Sequence, residues 1–171
     1  MVDRIKWQGV VVHHTRSHDV DIDIVRQWHQ ERGWDEVGYH FLIRSDGSVE
    51  EGCSLERAGC HARGRNQTHL GVALSGCFSG EPPNHLCRLT PTNEQLDSLT
   101  RLLYELHLRY NFQVSRIERH HALCPGSRLD LEDVLLRVIC LRDQISREQL
   151  LLKAVDEMEA QLKAIREVIK K

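Results

Sequence analysis

The sequence predicts an α/β layered fold followed by a separate C-terminal helix. Strand-like runs alternate with helix-like runs over most of the chain, which is the pattern of an α/β domain. The last part of the chain instead repeats apolar residues at heptad spacing. With 171 residues and 40% hydrophobic content, the chain is long enough for one such domain and an appendage. We therefore expect a domain over 1–143 and an amphipathic helix over 144–171.

The first strand and the first helix have clear signals. Residues 5–12 end in consecutive valines, the pattern of a strand that is buried on both faces. A helix over 21–32 follows, because Asp21 can cap its start and Gly33 stands where a C-terminal glycine is expected. Its expected apolar face consists of Ile24, Val25 and Trp28.

A hairpin and an interior strand come next. The β-prone runs 39–44 and 49–50 are separated by Asp46-Gly47, which is a strong hairpin signal. Residues 70–76 are apolar enough for another interior strand.

Two helices and a short strand complete the domain. Thr90-Pro91-Thr92 opens a helix that runs to about Tyr110, and a further helix covers 130–143. Between them, 113–118 is expected to form a short strand. The core-facing side chains of the two helices are expected to be Leu96, Leu99, Leu103, Leu106, Leu131, Val134, Leu135 and Val138.

The tail has a different pattern. Ser146 and Gln149 have the spacing of a capping box, which predicts a new helix start. Two interpretations stay open: an amphipathic helix packed back on the domain, or a coiled coil over 146–171 that forms a homo-oligomer or docks a partner. The apolar seam consists of Leu151, Val155, Met158, Leu162, Ile165 and Ile169.

Charge and composition exclude several partners. The formal net charge of −2 gives no reason to expect nucleic acid or an anionic membrane as a partner. No apolar run approaches the roughly 18 residues that span a bilayer. The first residues lack the pattern of a secretory signal peptide, so we expect a cytoplasmic protein as synthesised. Its six cysteines are then expected to be reduced, although Cys53 and Cys60 are close enough to pair in an oxidising compartment.

Two distant segments carry metal-ligand residue types. The strand-like run of valines ends in His13-His14, and far downstream His120-His121 is followed by Cys124. Two imidazoles and one thiolate are the ligand set of a catalytic zinc site, in which the fourth position is left for water. The sequence therefore predicts a hydrolase that uses zinc-activated water.

Four stretches resemble the zinc-dependent N-acetylmuramoyl-L-alanine amidases, and most closely the phage lysozyme-type amidases related to the peptidoglycan recognition proteins. The stretches are 25–47 (VRQWHQERGWDEVGYHFLIRSDG), 59–66 (GCHARGRN), 70–76 (LGVALSG) and 124–126 (CPG), within a likeness over roughly 5–140. The resemblance implies a central mixed β-sheet flanked by helices. It also implies a phage or prophage endolysin that cleaves the amide bond between N-acetylmuramic acid and L-alanine, after release to the cell wall.

On this resemblance, the Zn²⁺ ligands are His13, His120 and Cys124. The second histidine of each pair, His14 or His121, is then expected to support the ligands or to pack in the protein, and metal binding by these two residues is the alternative.

The resemblance also implies three residues around the metal. Tyr39 matches the family's tyrosine, whose protonated phenol would donate to the developing oxyanion or orient the attacking water, although packing in the core is the alternative role. His61 and Asn66 match a groove-lining segment and would hydrogen-bond the glycan or the stem peptide of peptidoglycan or a muropeptide.

One departure from the family concerns the loop before the cysteine. Only Ala122 and Leu123 separate His121 from Cys124, so the loop is shorter than in the relatives and lacks their lysine or threonine helper. Losing such a donor typically costs a factor of about 10²–10³ in rate. Arg128 and His121 are the candidates to replace it.

Two rival functions stay open beside the enzyme. The short loop favours a non-catalytic peptidoglycan-binding module, whereas the complete ligand set favours catalysis. A cytosolic amidase that recycles soluble muropeptides also fits the missing signal peptide. Because relatives of that kind tend to use aspartate as the third ligand, Cys124 favours the lysin.

Overall fold

The computed structural model describes residues 5–80 and 89–169 of the chain. The chain divides into two units, one extending to Val138 and the other starting at Ile139. Within the described ranges, no helix is both long and apolar enough to cross a membrane. In chain order the elements are β1 (Gly9–His14), α1 (Ile22–Glu31), β2 (Phe41–Ile43), β3 (Val49–Glu51), β4 (His69–Leu74), α2 (Asn93–Tyr110), a 3₁₀ turn (Val114–Arg116), β5 (Ile117–Arg119) and α3 (Leu131–Ile169).

The five strands form one mixed sheet in the order β3-β2-β4-β1-β5. β1 is parallel to β4 and β5, β2 is parallel to β4, and β3 alone is antiparallel, as the hairpin partner of β2. All residues of β1 and β4 are buried, as their apolar runs predict. Because β1 and β5 are adjacent and parallel, their carboxyl ends meet at one edge of the sheet.

Helices cover both faces of the sheet, which confirms the predicted α/β architecture. The larger core cluster joins one face to α2 and to the first turns of α3, with Leu99, Leu103 and Val134 fully buried. The smaller cluster joins the other face to α1 through Val25, with Trp28 packed against it.

The predicted apolar face of α1 is partly wrong. Ile24 is exposed, whereas His29, which is outside the expected apolar face, is only 4% exposed. The buried ring is tolerated because its Nδ1 accepts a hydrogen bond from the Gly38 N–H at 2.9 Å.

The predicted helix start at Ser146 is also wrong, since α3 runs without a break from Leu131 to Ile169. Ser146 lies inside the helix, where its hydroxyl donates to the Arg142 carbonyl at 2.8 Å. A serine bonded in this way is compatible with a helix interior. The seam residues from Leu151 to Leu162 are exposed, and the side chains of Ile165 and Ile169 lie outside the described part. Coiled-coil formation stays a prediction.

The cysteines differ from the expectation of uniformly reduced thiols. Cys53 and Cys60 are free, so the pairing considered for them is not formed. Cys77, in contrast, is disulfide-bonded. The sequence argument concerned only the redox compartment, and it could not show which thiols the fold brings together.

Candidate metal centre

The fold brings His13, His120 and Cys124 together at the carboxyl edge of the sheet. His13 lies near the end of β1, and His120 directly follows β5. A tight turn then returns the chain: the His121 N–H donates to the Cys124 carbonyl at 3.1 Å and the Cys124 N–H donates to the His121 carbonyl at 3.0 Å. The short loop before the cysteine is therefore a compact turn that places Cys124 beside His120.

The three side chains have the spacing of a metal site. Their ligand atoms all lie within 4.8 Å of one another. Nδ1 of His13 is 3.7 Å from Sγ of Cys124, close to the separation of about 3.6 Å that a tetrahedral zinc ion imposes on nitrogen and sulfur ligands. His13 and Cys124 are buried, while His120 is partly exposed and forms the open side of the cluster. These residues fit a zinc ion with one position accessible from outside.

Burial keeps the imidazoles of His13 and His120 in the neutral form that binds a metal ion. It lowers the pKa of His13 well below the ordinary value, with nearby histidines adding to the effect, and it also lowers the pKa of His120. Both rings are therefore neutral at neutral pH and keep a lone pair. Burial raises the pKa of the Cys124 thiol, against a hydrogen bond from the His14 backbone. A bound cation would favour the thiolate.

His61 and Asn66 are built into the protein beneath the cluster. Nδ1 of His61 lies 3.0 Å from Nε2 of His13, and its Nε2 lies 3.0 Å from the His69 carbonyl oxygen. Oδ1 of Asn66 accepts hydrogen bonds from the backbone N–H groups of His61 and Ala62 at 2.9 and 2.8 Å. Contact of either side chain with substrate stays a prediction.

Tyr39 lies against the metal-binding cluster. Its ring centroid is 5.1 Å from that of His13 and 5.4 Å from that of His29. Burial raises its pKa to about 12, and the nearby Cys124 adds to the shift. The phenol therefore stays protonated at neutral pH and can donate a hydrogen bond.

The other three predicted residues occupy different surroundings. His14 is buried, and its Nδ1 accepts the Phe78 N–H at 3.0 Å. His121 is exposed, with its ring centroid 4.6 Å from that of His120. The side chain of Arg128 lies beside Gly80, and Gly80 belongs to the segment that follows Phe78. The ring of His121 therefore lies against the ring of a metal-ligand residue.

Sequence reasoning missed two residues and a cavity. Arg16 has a left-handed backbone conformation with φ of 57°, and its charge acts to lower the pKa of both His14 and Cys124. His29 packs against Tyr39, and its position four residues after Val25 on the same helix face is the signal that could have indicated its burial. A cavity of about 280 Å³ opens beside His120. Its other lining residues are Val11, Ala62, Arg63, Arg65, Glu118 and Arg119.

Known proteins share both the sequence and the fold. Residues 3–127 match the family described as N-acetylmuramoyl-L-alanine amidase. The endolysin of Klebsiella phage KP32 is 41% identical over 107 residues, which cover 63% of this chain and 68% of that relative. An N-acetylmuramoyl-L-alanine amidase from Clostridium intestinale superposes with a TM-score of 0.70 at 30% identity, covering 78% of this chain and 86% of the other. Peptidoglycan recognition protein-LE, solved in complex with tracheal cytotoxin, a monomeric diaminopimelic acid-type peptidoglycan, superposes with a TM-score of 0.63 at 26% identity, covering 75% and 79%.

Proposed function

Because the chain belongs to the N-acetylmuramoyl-L-alanine amidase family, we propose that it hydrolyses the peptidoglycan amide bond with the help of zinc held by His13, His120 and Cys124. The chain is an amidase of the phage endolysin type. Its substrate bond joins the lactyl group of N-acetylmuramic acid to L-alanine. The observation that carries the zinc proposal is the convergence of two neutral imidazoles and one thiol within 4.8 Å.

The metal site, Tyr39 and the open side of the cluster have different roles in the proposed reaction. A zinc ion in this site would polarise the substrate carbonyl and lower the pKa of a coordinated water to about 7. Tyr39, which stays protonated because its pKa is raised to about 12, donates a hydrogen bond to the oxygen on which negative charge develops. The open side of the cluster, at His120 and the cavity beside it, admits the amide and its flanking sugar and peptide.

One side chain near the cluster supports a proposal for the helper that the short loop lacks. The ring of His121 contacts that of His120 and is exposed. We therefore propose His121 as the side chain that supports the leaving group on the open side, and Arg128 stays the second candidate. Arg128 lies beside Gly80.

A binding module without catalysis is the second candidate function. It is supported by the short loop and by the likeness to peptidoglycan recognition protein-LE, whose structure holds a peptidoglycan fragment. The complete set of two histidines and a cysteine favours the enzyme. A recycling amidase would differ from both in its substrate, because it acts on soluble muropeptides. Comparing activity on intact sacculi with activity on soluble muropeptides distinguishes this role.

Two further proposals concern the tail and the route to the wall. The exposed seam of Leu151, Val155, Met158 and Leu162 supports self-association through residues 146–171. The endolysin relatives support a protein that acts on the cell wall after release from the cytoplasm.

Purified peptidoglycan tests the proposal directly. The wild-type protein is expected to release stem peptides with a free L-alanine amino group, without creating new reducing sugar ends. A chelator and Cys124→Ser should each abolish this release. A zinc-loaded wild-type protein that binds peptidoglycan but releases no peptide would establish the binding module instead.

A further inference from the structure

The two ring nitrogens of His13 face different partners. Nδ1 is 3.7 Å from Sγ of Cys124, on the side of the ligand cluster. Nε2 is 3.0 Å from Nδ1 of His61. A neutral imidazole carries its hydrogen on one nitrogen and a lone pair on the other. The partner of Nε2 therefore decides whether Nδ1 has a lone pair to offer a metal.

A backbone carbonyl fixes the hydrogen on His61. Nε2 of His61 lies 3.0 Å from the His69 carbonyl oxygen, which can only accept. Nε2 of the His61 ring must then carry the hydrogen, and its Nδ1 must be the acceptor. The bond between the rings consequently runs from the Nε2–H of His13 to Nδ1 of His61. This leaves the lone pair of His13 on Nδ1, facing Cys124.

Two glycines next to the His61 ring leave space that a side chain would fill. A Cβ at Gly71, in the middle of β4, would lie 2.6 Å from Cγ of His61. A Cβ at Gly59 would lie 2.9 Å from Cδ2 of the same ring. The side-chain oxygen of Asn66 holds the His61 backbone N–H at 2.9 Å. The ring is 8% exposed, and its orientation is set from several sides.

From these contacts we propose that His61 is a positioning residue, which holds His13 in its Nε2–H tautomer and aims Nδ1 at the metal. This role differs from the substrate contact expected from the sequence, because both ring nitrogens of His61 are engaged within the protein. The inference rests on the proposed zinc site. Partners that orient a metal-bound histidine in this way typically contribute a factor of about 10–100 in metal affinity.

Zinc affinity of three variants tests the role without any activity assay. In a competition with a chromophoric chelator, His61→Leu should weaken zinc binding about 10–100-fold, because it removes the acceptor for His13. His61→Gln should restore most of the affinity, since its amide can donate to a carbonyl and accept from His13. The matched control is His107→Gln on α2, whose ring also bonds a backbone carbonyl, and it should bind zinc as the wild type does. A folded His61→Leu variant that binds zinc within threefold of the wild type would overturn the proposal.

A measurement on the wild-type chain covers the case in which His61→Leu does not fold. The ¹⁵N resonances of the imidazoles in the metal-free protein report the tautomers directly. We expect His13 and His61 each to carry their hydrogen on Nε2. Protonation of His61 on Nδ1 would overturn the inference even if zinc binds. If the tautomers are as expected but the wild type binds no zinc, the proposed function fails and the hydrogen-bond chain stands.

Discussion

Removing the Tyr39 hydroxyl should slow catalysis without disturbing the metal. Tyr39→Phe keeps the ring that lies 5.1 Å from His13, so packing and zinc affinity should be unchanged. The lost donor is expected to lower kcat by a factor of about 10²–10³, equivalent to roughly 2.7–4 kcal/mol of transition-state stabilisation. Because the pKa of Tyr39 is raised to about 12, the phenol is protonated throughout the neutral range. The pH profile of the variant should therefore keep the wild-type shape below pH of about 10.

Stem-peptide release from purified peptidoglycan, together with a zinc measurement on the same sample, is the assay. Tyr104→Phe is the matched control, because Tyr104 packs against the larger core cluster on α2, and it should retain wild-type kcat. A Tyr39→Phe variant with kcat within threefold of the wild type would refute the catalytic role. A variant that loses zinc would instead assign Tyr39 a structural role at the cluster.

Three further predictions concern stability and assembly. Gln95→Leu should lower the free energy of unfolding by about 2–5 kcal/mol in urea, because two buried backbone carbonyls lose their donor; exposed Gln27→Leu should change it little, and equal effects would contradict this reasoning. The free energy of unfolding of the metal-free protein should fall by about 1–2 kcal/mol for each of His14 and His40 between pH 7 and 5. Burial lowers the pKa of both imidazoles to about 4, so the unfolded chain takes up protons before the folded one does. A free energy of unfolding that is constant or rises on acidification would count against this reasoning. Truncation after Asp143 should convert a dimer or larger assembly to a monomer in light scattering, and a full-length monomer would remove the coiled coil.

The sheet and its helices were predictable because each local signal agreed with the tertiary structure. The valines of β1 do form a strand buried on both faces, and the leucine stripe of α2 faces the larger core cluster. Elements whose local pattern agrees with the tertiary fold can be predicted from one sequence. The convergence of His13 with His120 follows from the strand order, which places β1 beside β5. The family resemblance implied both residues as ligands, but it did not give the strand order.

What the sequence could not reveal depends on contacts between distant residues. His29 is polar, and the Gly38 N–H, which comes from outside α1, gives its buried ring a partner. The role of His61 depends on the His69 carbonyl and on space left by Gly71, neither of which has a local signature. Ser146 has the spacing of a helix start, yet no Gly or Pro before it interrupts α3.

Zinc titration of metal-free protein, followed by stem-peptide release, tests the central claim most directly. Activity should be absent at the start and rise in proportion to added zinc until one ion is bound per chain. His120→Ala should neither bind this ion tightly nor recover activity. Full activity in protein shown to contain no metal would contradict the account. So would an activity that does not rise with the amount of zinc bound per chain.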